Sequence, residues 1–461
     1  MKRGHGYRIA ILVVFPLITT FTSLNCSHNG SGTAHSSLDG QRAEQVSVSE
    51  AELEEIRRAK QRLKQNLPIK QFEWTNHLSL EKKVVNAWTG AQHLYLETSG
   101  HDLWAISRRT GNAVWVYSLN SALRFPPAPV SDLPSRVRDV EQQIMDVKDQ
   151  LSTERAKINP DEERISEIQT NLQNLRSQLN SLRETDRLYV IAGTTLHAVD
   201  RKLGSQVDQK SLTFAPSAQP FATSNRLVIA GYRQNFIHFY PHNTLNENLD
   251  ERVRLDSPIE SGINQAEDLF LLPGSSGTLY GYSLEQGWVW RKETGGELQA
   301  RPVVYDGNVI LASRGMELFS LSRFSGNSNW VSQFETPISQ TPQVADSSIY
   351  VYDEKDRFSA VDADSGELKW RHKNGPDSLL FRVENQVYAK SDDTSTVIRL
   401  STEDGEVLSK GSYEPFSYLL PNEQEPVFLF VSDHGLIITA RVSTAGVEFT
   451  TENIERNFDA E

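Results

Sequence analysis

The sequence has 461 residues, which is enough for two average domains or for one large repetitive domain. Hydrophobic residues make up 38% of it and charged residues 23%, as in soluble globular proteins. The formal net charge of -13 argues against a protein that wraps nucleic acid, because phosphate binding requires clustered lysine and arginine, and the sequence contains no such cluster. We therefore expect no nucleic-acid partner.

The N-terminus has the features of a secretory signal. Lys2 and Arg3 precede an apolar run over residues 9–21, which is shorter than the length that a transmembrane helix ordinarily needs. Cys26, the only cysteine, follows this run, so no intramolecular disulfide is possible. Residues 23–26 (SLNC) resemble the lipobox of bacterial lipoproteins, which implies cleavage before Cys26 and lipidation of its thiol. The alternatives are an ordinary signal peptide or an uncleaved anchor.

Two short segments follow the predicted signal peptide of residues 1–26. Residues 27–47 are rich in Ser, Gly, His and Gln, which is typical of a flexible tether. Residues 48–67 predict an amphipathic helix that either caps the following domain or meets a partner. Ser27 stands where an aspartate is associated with inner-membrane retention. We therefore expect a lipid-anchored protein at the periplasmic face of the outer membrane, with inner-membrane anchoring or secretion as alternatives.

From residue 68 the sequence repeats with a period of roughly 40 residues. The clearest copy covers residues 349–370, and an earlier copy covers residues 94–115. Each copy has short alternating apolar runs, which predict β-strands, followed by Thr-Gly or Ser-Gly and a tryptophan. Further copies begin at Leu188, Leu227, Leu269, Val309, Val387 and Val427. A four-stranded sheet of this kind cannot bury both of its faces alone, so the copies must stack radially into an all-β propeller.

Glycine and tryptophan mark each copy of the repeat. Glycine permits the positive φ of a hairpin turn. Tryptophan is large enough to fill the space between neighbouring sheets. The residues that we assign to this structural blade motif are Trp74, Gly111, Trp115, Trp290, Gly326, Trp330, Ala360, Asp362, Gly366 and Trp370.

The two ends of the repeat region predict how the ring closes. The copy that begins at Val427 has strands but no Gly-Trp segment of its own, and residues 72–74 (FEW) resemble the missing strand. An N-terminal strand that completes the last sheet gives eight blades, with seven blades as the alternative. The propeller is predicted over residues 68–132 and 186–445, and a C-terminal tail over residues 446–461.

Residues 133–185 interrupt the repeat with a different kind of sequence, which contains no glycine and no aromatic residue. Apolar residues spaced alternately three and four apart predict an antiparallel coiled-coil hairpin of two α-helices, each about 35 Å long. The first series is Val137, Val140, Ile144, Val147 and Leu151, and the second is Ile165, Ile168, Leu172, Leu175, Leu179 and Leu182. The hairpin could pack flat on the propeller, but its polar flanks favour a hairpin that projects.

The turn between the two helices is the candidate partner-binding site. Asn159 is expected to cap the second helix, with Pro160 at its first position and acidic residues in its first turn. The residues that we assign to this hairpin tip are Lys157, Asn159, Pro160, Asp161 and Glu162.

The pattern A-x-D-x-x-[ST]-G-x-x-x-W is complete at Ala360, Asp362, Gly366 and Trp370. It resembles the PQQ-like, quinoprotein-type propeller repeat that is also found in BamB-like outer-membrane assembly lipoproteins. The resemblance extends over about residues 70–441 and implies a protein-binding role in the envelope. Quinoprotein dehydrogenases of similar repeat type often hold PQQ beside a vicinal disulfide, which a chain with one cysteine cannot form.

No catalytic, cofactor or metal site is predicted from the sequence. Residues 362–367 begin like a calcium loop, but His372 stands where the bidentate glutamate is expected, so the propeller turn is the better interpretation. His238 and His242 are four residues apart with a proline between them, which favours incidental placement over metal binding. Aromatic residues at blade positions, such as Trp288, are expected to pack between blades.

Together these features predict a non-catalytic scaffold of the cell envelope that has no cofactor. The expected partners are envelope proteins, including components of outer-membrane β-barrel assembly, and the membrane itself through the lipid anchor. Two alternatives stay open. One is a PQQ-dependent or other small-ligand-binding propeller enzyme, and the other is an envelope sensor or transport subunit that docks through the coiled coil.

Overall fold

The structure is a computed structural model. It describes residues 49–159, 161–232, 235–242, 244–245, 251–355, 357–373, 375–422 and 425–443. These residues form three α-helices and eight four-stranded antiparallel sheets, which confirms the eight-bladed propeller and its helical insertion. The predicted signal peptide, Cys26, the tether and the C-terminal tail lie outside the described residues.

The first four blades follow one another along the chain. Blade 1 contains β2 (Val84–Thr89), β3 (His93–Thr98), β4 (Asp102–Ser107) and β5 (Ala113–Ser118). Blade 2 contains β6 (Ala128–Pro129), β7 (Arg187–Ala192), β8 (Thr195–Asp200) and β9 (Gln206–Ser211). Blade 3 contains β10 (Phe221–Ala222), β11 (Arg226–Ala230), β12 (Phe236–Pro241) and β13 (Glu251–Arg254). Blade 4 contains β14 (Asn264–Ala266), β15 (Leu269–Gly274), β16 (Thr278–Ser283) and β17 (Gly287–Glu293).

The remaining blades complete the ring. Blade 5 contains β18 (Val303–Tyr305), β19 (Asn308–Ser313), β20 (Glu317–Ser322) and β21 (Ser328–Gln333). Blade 6 contains β22 (Gln343–Ala345), β23 (Ser348–Asp353), β24 (Arg357–Asp362) and β25 (Leu368–Lys373). Blade 7 contains β26 (Ser378–Val383), β27 (Gln386–Ser391), β28 (Thr396–Ser401) and β29 (Val407–Ser412). Blade 8 contains β30 (Tyr418–Leu420), β31 (Val427–Val431), β32 (Leu436–Val442) and the N-terminal strand β1 (Ile69–His77).

The N-terminal strand closes the ring. β1 pairs antiparallel with β32, from Ile69 opposite Val442 to His77 opposite Leu436. It therefore supplies the fourth strand that the last repeat copy lacks, as the sequence predicts.

Neighbouring blades are joined by a recurring contact that we call the tryptophan dock. A tryptophan on the outermost strand of one blade lies over a glycine of the next blade. Its Nε1 donates a hydrogen bond of 2.6–3.1 Å to the carbonyl three residues before that glycine. The five docks are Trp74 on Gly111, Trp115 on Gly204, Trp290 on Gly326, Trp330 on Gly366, and Trp370 on Gly405.

The docks explain why the repeat motif has its composition. Each of the five glycines has a positive φ, and a Cβ built on any of them would lie less than 3 Å from the indole. The residue opposite the tryptophan on the neighbouring strand is small where the motif is complete, as with Ala360 opposite Trp370. Asp362 holds the turn itself, because its carboxylate accepts hydrogen bonds from the backbone of Asp364 and Ser365.

Helix α1 (Glu50–Asn66) fills the joint between blades 7 and 8. Blade 8 has no loop from its third to its fourth strand, because β1 comes from the other end of the chain. The buried side chains of Ala59, Leu63 and Leu67 pack there against blade residues such as Tyr388 and Phe416. None of the helices in the described residues is long and apolar enough to cross a membrane.

The strand order gives the propeller two distinct faces. Loops from first to second strands and from third to fourth strands lie on one face, and loops from second to third strands lie on the other. The helical insertion lies between β6 and β7, the first two strands of blade 2, so we call the first of these the hairpin face. We call the second the entry face. The N-terminus of α1 lies at the entry face, where Glu52 contacts His77 at 3.2 Å, beside the loop from β31 to β32.

Candidate protein-interaction site

The inserted hairpin consists of α2 (Leu133–Arg155) and α3 (Glu162–Glu184). Their predicted apolar series meet in one seam, in which Val137, Leu151 and Ile168 are partly buried. The other members of the two series are buried. From Arg138 onward, every described residue of the two helices that is off this seam is exposed to solvent, except Glu154 near the tip, which is buried. The hairpin therefore projects from the propeller and covers none of it beyond its base.

The first helix is fixed to blade 3 at its base. The Asp132 carboxylate accepts hydrogen bonds of 2.6 Å from both the backbone N–H and the hydroxyl of Ser224. One turn later, the Arg136 guanidinium donates to Asn225 Oδ1 at 3.2 Å. Both partners lie in the loop from β10 to β11, so the hairpin is held by the blade next to the one that carries it.

The second helix is fixed at the same level. His242 binds the C-terminal end of α3, because its Nε2 lies 2.9 Å from the Thr185 carbonyl oxygen. Arg187 in turn donates a hydrogen bond of 2.7 Å to the His242 carbonyl oxygen. Burial, reinforced by the positive charge of Arg187, lowers the pKa of His242 to about 4, so the ring is neutral at pH 7. Asp186 forms a buried two-pronged ion pair with Arg201 of blade 2. These contacts give the projecting hairpin a rigid base.

The hairpin tip contains charged and apolar groups. Lys157 pairs with the buried Glu154 at 2.6 Å, and this hydrogen bond lowers the pKa of the Glu154 carboxyl. Asn159 and Glu162 are exposed, whereas Pro160 lies outside the described residues. Ile158 is 100% exposed. It lies between two polar residues and outside the heptad series, so the apolar periodicity of the sequence does not reveal it.

One local prediction at the tip is wrong. The sequence assigns the cap of α3 to Asn159, but the structure gives that role to Asp161, whose Oδ1 accepts a 3.1 Å hydrogen bond from the Arg164 backbone. The helix therefore begins at Glu162, two residues later than expected. Asparagine and aspartate both accept such a bond, and only the observed turn decides between them.

The residues considered for metal binding have other roles. Asp362 binds turn amides and Lys369, and these hydrogen bonds lower its pKa to about 2. His238 stacks on Phe214 with ring centres 4.1 Å apart, and His242 binds the hairpin base. No group of three or more metal-ligating side chains was found among the described residues. Trp288, expected to pack between blades, is instead 48% exposed, and its ring contacts Tyr280 and Tyr282 of its own blade.

Comparison with known proteins locates the chain among propellers. Residues 275–386 match the family model described as outer membrane protein assembly factor BamB. No curated protein matches the whole sequence significantly.

Solved structures share the fold over most of the chain. BamB from Moraxella catarrhalis is similar with a TM-score of 0.57 and 10% identity, covering 82% of this chain and 99% of that one. The C-terminal WD40 domain of Sif2 gives a TM-score of 0.53 with 9% identity, over 82% of this chain and 99% of that domain. The computationally designed Ika8 protein gives 0.51 with 10% identity, over 81% of this chain and 100% of the design. Together, the eight closed blades and the solved structures show a β-propeller fold similar to that of BamB, and the match to the family model extends over residues 275–386.

Proposed function

We propose that this chain is a non-catalytic scaffold of the cell envelope that binds other proteins through its hairpin. The observation that carries the proposal is the exposure of the hairpin beyond its base, where α2 and α3 pack only on each other. Such a helix pair contributes little to the stability of the ring. Its length of about 35 Å and its clamped base instead fit a rigid arm for a partner.

The two faces of the propeller support a division of roles. The described chain begins at Ser49 on the entry face, and the hairpin leaves the opposite face. The hairpin can therefore bind a partner without covering the face on which α1 begins.

The class of partner is the finer part of the proposal. The matched family model carries the description of an outer-membrane protein assembly factor, and this supports β-barrel assembly components as partners of the present chain. The hairpin is what this chain adds to the propeller. We propose that the hairpin selects the partner and that the ring holds it in position.

Shortening the hairpin tests this role. Replacing residues 149–173 with a four-residue Gly/Ser turn keeps the base contacts of Asp132 and Thr185 and the proximal seam around Ile144 and Leu179. We expect at least a tenfold loss of partner proteins recovered with the tagged chain from detergent-solubilised membranes. The melting temperature should change little, because the removed part touches only itself.

A matched variant controls for the loss of exposed apolar surface. Leu203 is 67% exposed in another loop of the hairpin face. Leu203→Ser should therefore leave recovery unchanged, whereas Ile158→Ser, at the tip, should lower it. Equal recovery by the full-length and shortened proteins would contradict the scaffold role.

The anchor is tested separately. Cys26→Ala should move the protein from the membrane fraction to the soluble fraction and should prevent metabolic labelling with a palmitate analogue. Cys26→Ser is the isosteric companion and should behave in the same way, because a hydroxyl does not accept the diacylglycerol. Unchanged fractionation of both variants would show that the chain is held at the membrane by something other than this cysteine.

A further inference from the structure

The joint between blades 3 and 4 has only half of a tryptophan dock. Blade 4 has the receiving half: Gly287 has a φ of +76°, like the five docked glycines, and Leu284 stands three residues before it. No atom of the described residues lies within 4 Å of a Cβ built on Gly287. In each of the five complete docks an indole fills this place.

Blade 3 does not provide the indole. The register places Glu251 at the tryptophan position, opposite Phe239 of β12. Complete docks have a small residue there, such as Ala105 opposite Trp115 or Gly281 opposite Trp290. Because Phe239 is buried and bulky, the indole of a tryptophan at position 251 would stand away from its own sheet, toward blade 4.

A cleft of about 580 Å³ lies at this joint, within the size range of natural ligand sites. Glu251, which stands at the tryptophan position, and Leu284, whose carbonyl stands at the acceptor position, both line it. Thr185 and Ser224 line its other side, and both of these residues bind the hairpin base. Among the described residues the half-dock at Gly287 is therefore unfilled, and it lies beside the base of the hairpin on the hairpin face.

We propose that this cleft binds a tryptophan side chain from an extended segment of a partner protein. The indole would lie over Gly287 and donate its N–H to the Leu284 carbonyl, as the five internal docks do with their own glycines and carbonyls. The cleft is lined by two carboxylates, of Glu251 and Glu285, and by one guanidinium, of Arg226, so its net negative charge favours a basic residue next to the tryptophan. This inference rests on the proposed scaffold function and adds a second contact to the hairpin.

The chain itself provides the probe for a test. A labelled peptide of residues 367–373 (ELKWRHK) contains the docking tryptophan Trp370 flanked by basic residues. We expect the full-length protein to bind this peptide at least tenfold more tightly than its Trp370→Ala analogue, measured by fluorescence anisotropy. Glu251→Trp should fill the cleft and weaken peptide binding at least tenfold. Ser328→Trp, an exposed position on the outer strand of blade 5, is the matched control and should leave binding unchanged.

The other outcomes separate the possible explanations. Equal binding of the two peptides, or unchanged binding by Glu251→Trp, would overturn the proposal. The protein with the shortened hairpin should still bind the peptide. A loss of partner recovery together with intact peptide binding therefore concerns the hairpin alone, and the reverse result concerns the cleft alone.

Discussion

Gly204→Ala is expected to destabilise the propeller by about 3 kcal/mol, whereas Gly287→Ala should cost only about 1 kcal/mol. Both glycines occupy the same position in the turn between third and fourth strands, with φ values of +70° and +76°. Placing an L-residue at either position therefore costs a similar backbone strain. They differ in what lies above them: a Cβ on Gly204 would lie less than 3 Å from Trp115, while Gly287 has open space among the described residues.

A double-mutant cycle isolates the dock. Trp115 is 1% exposed, so Trp115→Ala should cost about 3–5 kcal/mol through the cavity it leaves. In that background the Gly204→Ala cost should fall to about that of Gly287→Ala, because the clashing ring is gone. Guanidinium unfolding followed by circular dichroism measures all four proteins. Equal costs for Gly204→Ala with and without Trp115 would show that the glycine is needed for its φ alone.

These docks show why so much of the fold could be predicted. The tryptophan, the glycine and the small residue opposite the tryptophan satisfy one local geometry, so they recur at a fixed spacing that a single sequence displays. Blade 3 lacks the motif for a physical reason: Glu251 and Phe239 stand at the positions of the docking tryptophan and the small residue opposite it, so the pattern is lost where the geometry is lost. The half-dock at Gly287 cannot be recognised from the sequence, because it depends on the position of the neighbouring strand β13 in space.

The candidate site could be predicted in outline only. The heptad series located both helices, because their seam is internal to residues 133–185. The clamps at the base join Asp132 to Ser224 and Thr185 to His242, contacts between blades that no local pattern encodes. Likewise, the position of α1 depends on blade 8, which has no loop between its third and fourth strands because the fourth strand comes from the N-terminus. Its apolar stripe predicted burial, but the surface that buries it is formed by residues more than 300 positions away.

Removing the N-terminal strand is expected to have the largest effect of any change in the ring. We compare two internal deletions, one of residues 50–66, which removes α1, and one of residues 50–77, which also removes β1. The first should cost about 4 kcal/mol, because it exposes the surface covered by the buried Ala59 and Leu63. The second also removes the Trp74 dock and leaves blade 8 with three strands, so the joint between blades 8 and 1 is weakened.

The protein without β1 should unfold in more than one step and at a much lower temperature, since the joint between blades 8 and 1 keeps only its inner-strand core while the other joints are unchanged. Calorimetry and limited proteolysis should show this difference. A synthetic peptide of residues 67–80 supplies the missing strand in trans and should restore a single transition, because β1 pairs with β32 along its whole length. Its Trp74→Ala analogue keeps the strand but loses the dock on Gly111, so it should restore less stability. If both deletions melt alike, the ring is held by its other joints, and the closing strand would be an accessory to a fold that is already complete without it.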